Sequence, residues 1–280
     1  MSLNTQYGGR SDSAGRQEDR WELIADMIAS VRPHILLAQE LAGWGRDPRL
    51  HAAAERSLQR RGWPLRFLVA PSQTDSHTAV AFQQEVLCWR QHETKYSPLV
   101  ENGYGVAVLA DVDADEDEPG LTVISAHLTA YSAEAGAVEA QRMVARLHRY
   151  GGRGILGGDI NNMPLGDAEP DWVAAPPHNR SARCLARTSP DGPWRGNRVV
   201  GEVLARADLV DVAAYVADTQ DRPELRAATG HGGVRVDQFH VTASVRDAVL
   251  GYEQLAAASD HDAIVMRLDP ARLGAARVWV

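Results

Sequence analysis

The chain has 280 residues, 44% of them hydrophobic, and a formal net charge of -8. This length can bury a large core, and the acidic balance lacks the basic footprint of proteins that grip long nucleic acids through their phosphates. The sequence contains no run of eighteen apolar residues and no signal-peptide core. We therefore expect a cytoplasmic protein that makes no contact with a membrane.

The predicted elements alternate between helix and strand along the whole chain. In chain order, the apolar spacing predicts a helix over residues 18–31, a strand over 34–40, a second helix over 49–62, and then strands at 66–70, 78–83, 85–89, 105–110 and 121–128. A third helix over 134–150, a strand at 154–159, a fourth helix over 198–207 and strands at 234–242, 248–255 and 263–268 complete the pattern.

This order of elements indicates an α/β (α+β) fold, with two mixed β-sheets packed face to face and helices outside, in one domain over residues 1–280. Three segments, 111–120, 163–197 and 217–233, are rich in loop residues and are expected on the surface. The first carries six acids between residues 111 and 118, which we interpret as a solvated hairpin loop in preference to a calcium site.

Charged, imidazole and amide side chains stand at or beside the ends of apolar strands: Glu40, His127, Asp159, Asn161, Asp237, Asp260 and His261. A charge in such a place must be paired, bonded to a metal or held for catalysis. One such residue is usually a structural ion pair, whereas several on separate strands indicate a shared site at one end of the sheets. From the residues alone, a metal-assisted hydrolase and a set of structural ion pairs both remain open.

Six short motifs occur in order: Asn4 in LNTQYGG, Gln39-Glu40 in LLAQE, His127 in SAHL, Asp159-Ile160-Asn161 in GGDIN, Arg235-Val236-Asp237 in RVDQ, and Ser259-Asp260-His261 in SDH. With these motifs the chain resembles the endonuclease/exonuclease/phosphatase superfamily, whose members are similar to deoxyribonuclease I. The resemblance covers essentially the whole chain. It implies a four-layer sandwich and a divalent-metal-dependent phosphoester hydrolase, either a phosphodiesterase or a phosphatase.

The resemblance implies a site for Mg²⁺, with Mn²⁺ as the alternative cation. Glu40 would be the principal ligand, because such a hard cation takes one or two carboxylates together with waters and the substrate phosphate. Asn4 would support the ligand set or touch the phosphate, and Asp260 would complete the set through a water. Three residues precede Asn4, which predicts a short first strand that holds its side chain loosely.

The resemblance also implies the catalytic roles. Asp159 would orient or deprotonate the attacking water, and Asn161 would hold the water or a phosphate oxygen. His261 and Asp237 would form a dyad in which the carboxylate fixes the imidazole tautomer. His127 would hydrogen-bond the phosphate as negative charge builds on it. The general base remains open between the His–Asp pair and Asp159.

Candidate substrate contacts lie outside the catalytic set. The arginine-rich segment 178–198 follows the GDIN motif, and within it we interpret Trp194 and Arg195 as substrate-binding, with a flexible solvated loop as the alternative. Arg235 is a further candidate contact, against the alternative of a structural ion pair. His231, in TGHGG, is expected near the site. Trp44 either stacks on substrate or packs in the core.

The substrate class remains open between a small phosphoester and a short or single-stranded nucleic acid. The acidic balance argues against processive action on duplex DNA. Two alternatives to the hydrolase are a non-catalytic protein that binds a phosphate ligand on the same fold, and a structural metal-binding protein that uses residues 111–118. The oligomeric state is not predicted.

Overall fold

The computed structural model describes residues 1–12, 14–230 and 232–275. The strands of this part of the chain are β1 (Ser2–Asn4), β2 (Ile35–Ala42), β3 (Leu65–Ala70), β4 (Ser76–Gln83), β5 (Leu87–Glu93), β6 (Val106–Asp111), β7 (Leu121–His127), β8 (Gly154–Asp159), β9 (Leu209–Asp211), β10 (Asp237–Thr242), β11 (Val249–Leu255) and β12 (Ala263–Leu268). Its α-helices are α1 (Trp21–Val31), α2 (Pro48–Arg60), α3 (Ala133–Leu147), α4 (Pro177–Arg183), α5 (Val199–Arg206), α6 (Val212–Gln220) and α7 (Ala243–Arg246).

The described strands form two mixed six-stranded sheets. The first has the order β11-β12-β1-β2-β4-β3 and the second the order β5-β6-β7-β8-β10-β9. Strands β1 and β2 are parallel, as are β7 and β8, and the other pairs are antiparallel. The two sheets pack face to face, because Leu37 and Val80 of the first share one buried cluster with Ile155 and Phe239 of the second.

Helices cover the outer faces of both sheets. Helices α1 and α2 pack on the first sheet through Ile24 and Leu58, and helices α3 and α5 pack on the second through Met143 and Leu204. The predicted four-layer sandwich is thereby confirmed. No helix among the described residues is long and apolar enough to cross a bilayer.

Trp44 belongs to the core on the outer face of the first sheet. Its side chain is buried, and its ring makes edge contacts with Trp21 and Phe67 at centroid separations of 5.9 and 5.2 Å. The packing alternative for Trp44 is therefore the one the structure supports.

The four predicted helices and the predicted strands are present, with their ends shifted by a few residues. Helices α4, α6 and α7 were not predicted. Helix α4 lies inside the segment expected as loop, and its seven residues are too few to show helical periodicity. Strand β1 has three residues, as expected, but lies in the interior of its sheet between β2 and β12. The acidic residues of 111–118 are exposed, as expected of a solvated hairpin loop.

Candidate active site

Three strands of the second sheet place one row of side chains side by side. The parallel register of β7 and β8 pairs His127 with Asp159, and the antiparallel register of β8 and β10 pairs Asp159 with Asp237. All three side chains are buried, and His127 Nε2 lies 3.6 Å from Asp159 Oδ2. The row therefore gathers two acids and an imidazole at one end of the sheet.

Asn4 joins the first sheet to this row. Its side chain is fully buried, and its Nδ2 donates to Glu40 Oε1 at 3.0 Å and to Asp159 Oδ2 at 3.1 Å. Its Oδ1 accepts a hydrogen bond from the Gln6 backbone N–H at 3.0 Å. The short first strand thus holds Asn4 firmly, and the expectation of a loosely held side chain is wrong. One amide orients two carboxylates from opposite sheets.

Strained backbone accompanies two residues of the site. Glu40 and Asn161 have φ values of 56° and 57°, in the left-handed region that costs a non-glycine residue of order 1–3 kcal/mol. Glu40 also lies where the register of β2 against β4 shifts. Before Asp159, Gly158 has a φ of 146°, and a Cβ there would lie 1.9 Å from the Ala126 carbonyl oxygen. A side chain at Gly158 would therefore push β7 and β8 apart.

His261 and Asp237 form the predicted pair. His261 Nδ1 lies 2.8 Å from Asp237 Oδ2, and its Nε2 lies 3.8 Å from Asp159 Oδ2. Burial of the ring opposes protonation, but the charges of Asp159 and Asp237 outweigh burial and raise the pKa of His261 to about 10. An imidazolium therefore faces Asp159. Gly230 packs against the ring, since a Cβ at Gly230 would lie 3.0 Å from His261 Cε1.

Asn161 is held by three hydrogen bonds. Its backbone N–H donates to Asp159 Oδ1 at 2.9 Å, its Nδ2 donates to the Leu128 carbonyl at 2.9 Å, and its Oδ1 accepts from Arg183 Nη2 at 3.1 Å. Arg183 ends α4 and is buried. Burial lowers the pKa of Arg183, and the nearby charges of Asp159 and Asp237 oppose that effect. From the sequence, Arg183 was one of several arginines in the segment 178–198. Helix α4 directs its side chain into the interior, where it contacts Asn161.

The gathered donors suit a hard divalent cation. Among the described residues, two sets of three side chains each bring their ligand atoms within 4.8 Å of one another. One set is Glu40, His127 and Asp159, and the other is Asp159, Asp237 and His261. Carboxylate oxygens are what Mg²⁺ prefers, and carboxylates this close repel one another unless a cation lies between them. His127 Nδ1 is buried and has no hydrogen-bond partner within the described part of the chain. The donor set therefore fits the predicted cation.

Asp260 stands at the rim of the cluster. It belongs to neither ligand group of the described residues, and its side chain is half-buried. Burial raises the pKa of Tyr7, and the charges of Glu40 and Asp260 raise it further. The Tyr7 backbone N–H donates to Glu40 Oε2 at 3.1 Å. Tyr7 thus contacts Glu40 and lies near Asp260, and a ligand role for Asp260 through a water stays a prediction.

Arg235 is committed to an ion-pair network. Its side chain is 0% exposed, and its guanidinium donates to both oxygens of Asp167 at 2.9 and 3.0 Å and to both oxygens of Asp211 at 2.7 and 3.0 Å. With its donors taken by two carboxylates, Arg235 does not serve as a substrate contact, and the structural alternative applies. Asp211 is structural, since it pairs with Arg235 and caps α6. His231 lies outside the described residues.

Trp194 and Arg195 lie in the segment after the GDIN motif. Trp194 is half-buried, and the guanidinium carbons of Arg187 and Arg180 lie 4.2 and 5.1 Å from its ring centroid. The indole therefore contacts two arginines. Arg195 is exposed, and its backbone carbonyl accepts from the Leu185 N–H at 2.8 Å. Substrate contact by Trp194 and Arg195 stays a prediction.

Comparison with known proteins identifies relatives by structure. No family model and no curated protein sequence matches the chain. An endonuclease/exonuclease/phosphatase from Bacteroides vulgatus is similar with a TM-score of 0.62 and 14% identity, over 96% of this chain and 97% of that one. Humanized D. rerio TDP2 is similar with a TM-score of 0.60 and 14% identity, over 95% of this chain and 96% of that one. An AP endonuclease from Archaeoglobus fulgidus is similar with a TM-score of 0.59 and 17% identity, over 89% of this chain and 94% of that one. The chain therefore has the endonuclease/exonuclease/phosphatase fold that its motifs predict.

Proposed function

We propose that the chain is a divalent-metal-dependent phosphoester hydrolase. The observation that carries the proposal is the convergence of Glu40 from one sheet with Asp159 and the His261–Asp237 pair from the other, bridged by Asn4. The similar structures include an AP endonuclease and a 3′ phosphatase from Neisseria bound to a product DNA hairpin, so this fold carries phosphoester chemistry elsewhere. Fold alone does not establish activity, and the argument rests on the site.

Glu40 would hold Mg²⁺, or Mn²⁺, beside Asp159, with Asn4 supporting the ligand set and Asp260 acting through a water. When bound, the cation supplies charge that polarises a phosphoryl oxygen. Asn4 contributes beforehand, because its amide already fixes one oxygen of each carboxylate at 3.0 and 3.1 Å. This preorganisation lowers the cost of gathering two like charges at the moment of binding.

The remaining residues would act on the water and the phosphate. The raised pKa of His261 favours its protonated form, so it suits donation of a hydrogen bond to a phosphoryl oxygen rather than removal of a proton. Asp159 is then the base that we favour. His127 and Asn161 would hydrogen-bond the phosphate and the water. The substrate would be a small phosphoester or a short nucleic acid, with no membrane involved.

The test is hydrolysis of bis-p-nitrophenyl phosphate and p-nitrophenyl phosphate with Mg²⁺, with Mn²⁺ or with EDTA. Activity should disappear in EDTA, and Glu40→Gln and His261→Ala should each reduce it by roughly 100-fold or more. Asp117→Asn is the control variant. Because Asp117 is exposed in the acidic loop 111–118, outside the candidate site, this variant should keep full activity. Activity that survives EDTA, or that both site variants retain, would overturn the proposal. Binding of phosphate without turnover would favour the non-catalytic binding protein instead.

A further inference from the structure

A polar cleft of about 650 Å³ lies along α4 and the chain that follows it. Its lining includes two guanidinium groups, an indole and three hydroxyls, from Arg180, Arg187, Trp194, Ser181, Thr188 and Ser189. Basic groups combined with hydroxyls are the donors that recognise phosphate oxygens. The composition of the cleft therefore points to an anionic ligand.

Two cations of the cleft share one aromatic ring without a neutralising acid. The guanidinium carbons of Arg187 and Arg180 lie 4.2 and 5.1 Å from the Trp194 centroid. Arg180 Nη1 donates to the Trp172 carbonyl at 3.2 Å, and Arg187 Nη1 donates to the Gly192 carbonyl at 3.4 Å. Among the described residues, neither arginine forms an ion pair with a carboxylate. Neither positive charge is therefore paired with a carboxylate at contact distance in the described part of the chain.

This arrangement is preorganised for an anion. Contact with the indole restricts both guanidinium groups, which reduces the entropy lost when they bind a ligand. Each guanidinium keeps its positive charge, so each can donate charge-assisted hydrogen bonds to a phosphate. Glu134 also lines the cleft, but its oxygens accept hydrogen bonds from Asn197 at 2.7 Å and from Ser132 at 3.0 Å. Among the described residues, Glu134 forms no ion pair with Arg180 or Arg187.

Helix α4 connects the cleft to the candidate active site. Arg180 lines the cleft, and Arg183, three residues later, donates to Asn161 Oδ1 at 3.1 Å. Residues three apart on a helix are neighbours, with Cβ atoms about 5–6 Å apart. The cleft thus begins about one helical turn from Arg183, the residue that holds the Asn161 side chain.

We propose that this cleft binds a second phosphate group of the substrate, in addition to the phosphoester that is cleaved. The proposal rests on the proposed function, and it narrows the substrate to molecules with at least two phosphates. A short oligonucleotide and a sugar bisphosphate share this chemistry. Arg180 and Arg187 would hold the second phosphate, while the catalytic set acts on the first.

A matched substrate pair tests the proposal by kinetics. Thymidine 5′-(p-nitrophenyl phosphate) is compared with the same ester carrying a 3′-phosphate, in Mg²⁺. The extra phosphate should raise kcat/KM about tenfold, the effect of one charge-assisted hydrogen bond. Arg187→Ala should remove that advantage through KM and leave the one-phosphate ester unchanged, whereas the control Arg149→Ala, at an exposed arginine, should keep it. No advantage in the wild type, or an advantage that survives in Arg187→Ala, would overturn the proposal.

A binding measurement separates failure of the cleft from failure of the proposed function. His261→Ala is titrated calorimetrically with thymidine 3′,5′-bisphosphate and with thymidine 5′-monophosphate. Tighter binding of the bisphosphate, lost when Arg187→Ala is added, supports the cleft even without hydrolysis. Equal affinities refute the cleft even if hydrolysis is observed. Where the cleft is supported, titration with pTpT and with fructose 1,6-bisphosphate assigns the second phosphate to a nucleic acid or to a sugar.

Discussion

Arg183 provides a sharp test of how Asn161 is positioned. Its Nη2 donates to Asn161 Oδ1 at 3.1 Å, and its buried charge lies near Asp159 and Asp237. A hydrogen bond from a charged donor contributes about 1.5–3 kcal/mol. If Asn161 contacts the reacting phosphate or water, Arg183→Met should therefore lower kcat/KM by roughly 10- to 100-fold.

The reduction should appear mainly in kcat. Asn161 Nδ2 is tied to the Leu128 carbonyl and its Oδ1 to Arg183, so loss of the guanidinium frees one side of the amide. A misoriented amide weakens contacts that strengthen in the transition state more than those that bind the ground state. Arg183→Lys retains the charge but not the planar fork, and we expect it to recover part of the activity.

The assay is steady-state hydrolysis of bis-p-nitrophenyl phosphate in Mg²⁺ for the wild type and the two Arg183 variants, with Arg149→Ala as the exposed control. Thermal unfolding midpoints are measured alongside, because a merely structural role would lower stability and leave the kcat of the folded fraction unchanged. Wild-type kcat/KM in folded Arg183→Met would refute the positioning role. If that variant does not fold, the kinetics of Arg183→Lys decide the question.

Two further predictions concern stability. Burial lowers the pKa of His240 to about 4, so below about pH 6.5 the unfolded chain binds a proton that the folded chain does not, and the free energy of unfolding should fall by about 2–3 kcal/mol between pH 7.5 and pH 4.5. In urea unfolding, the free energy of unfolding of His240→Gln should fall by that much less than the wild-type value over the same pH range. An equal fall in both proteins would contradict the lowered pKa of His240. Arg235→Met leaves Asp211 without the cation that it pairs with and leaves Asp167 with Arg226, so we expect the free energy of unfolding to fall by about 3–5 kcal/mol at pH 7. Adding Asp211→Asn to Arg235→Met should recover part of the lost free energy of unfolding. If Arg235→Met is as stable as the wild type, the ion-pair network does not contribute to stability.

The residues of the candidate site could be identified from the sequence because each follows or begins an apolar strand. His127, Asp159 and Asp237 lie on strands that prove to be neighbours in one sheet, and their registers place them in one row. The sequence could not show that Asn4 bridges the two sheets, since that contact depends on how the sheets face each other. A three-residue strand carries no periodic signal, yet Asn4 is fully buried between two carboxylates.

The roles of the arginines could not be predicted, because they depend on loop geometry. Arg235 stands two residues before Asp237, and on a continuous strand the two side chains would share a face. Strand β10 begins only at Asp237, so Arg235 lies before it and reaches Asp167 and Asp211 instead. In the same way, Arg183 points to Asn161 only because α4 turns the chain there.

The choice of arginine over lysine has a physical consequence in this chain. Of 29 basic residues, Lys95 is the one lysine. A guanidinium keeps its charge when buried, whereas a buried ammonium readily loses its proton. Arg198 bonds the carbonyl of Asp167, Arg235 bonds its carboxylate, and Arg183 bonds Asn161. Arg183 and Arg198 thus anchor the arginine-rich segment 178–198 near both of its ends, and Arg183 does so close to Asp159 and Asp237. The cleft in that segment is therefore held in a defined position relative to Asn161, which is what recognition of a second phosphate requires.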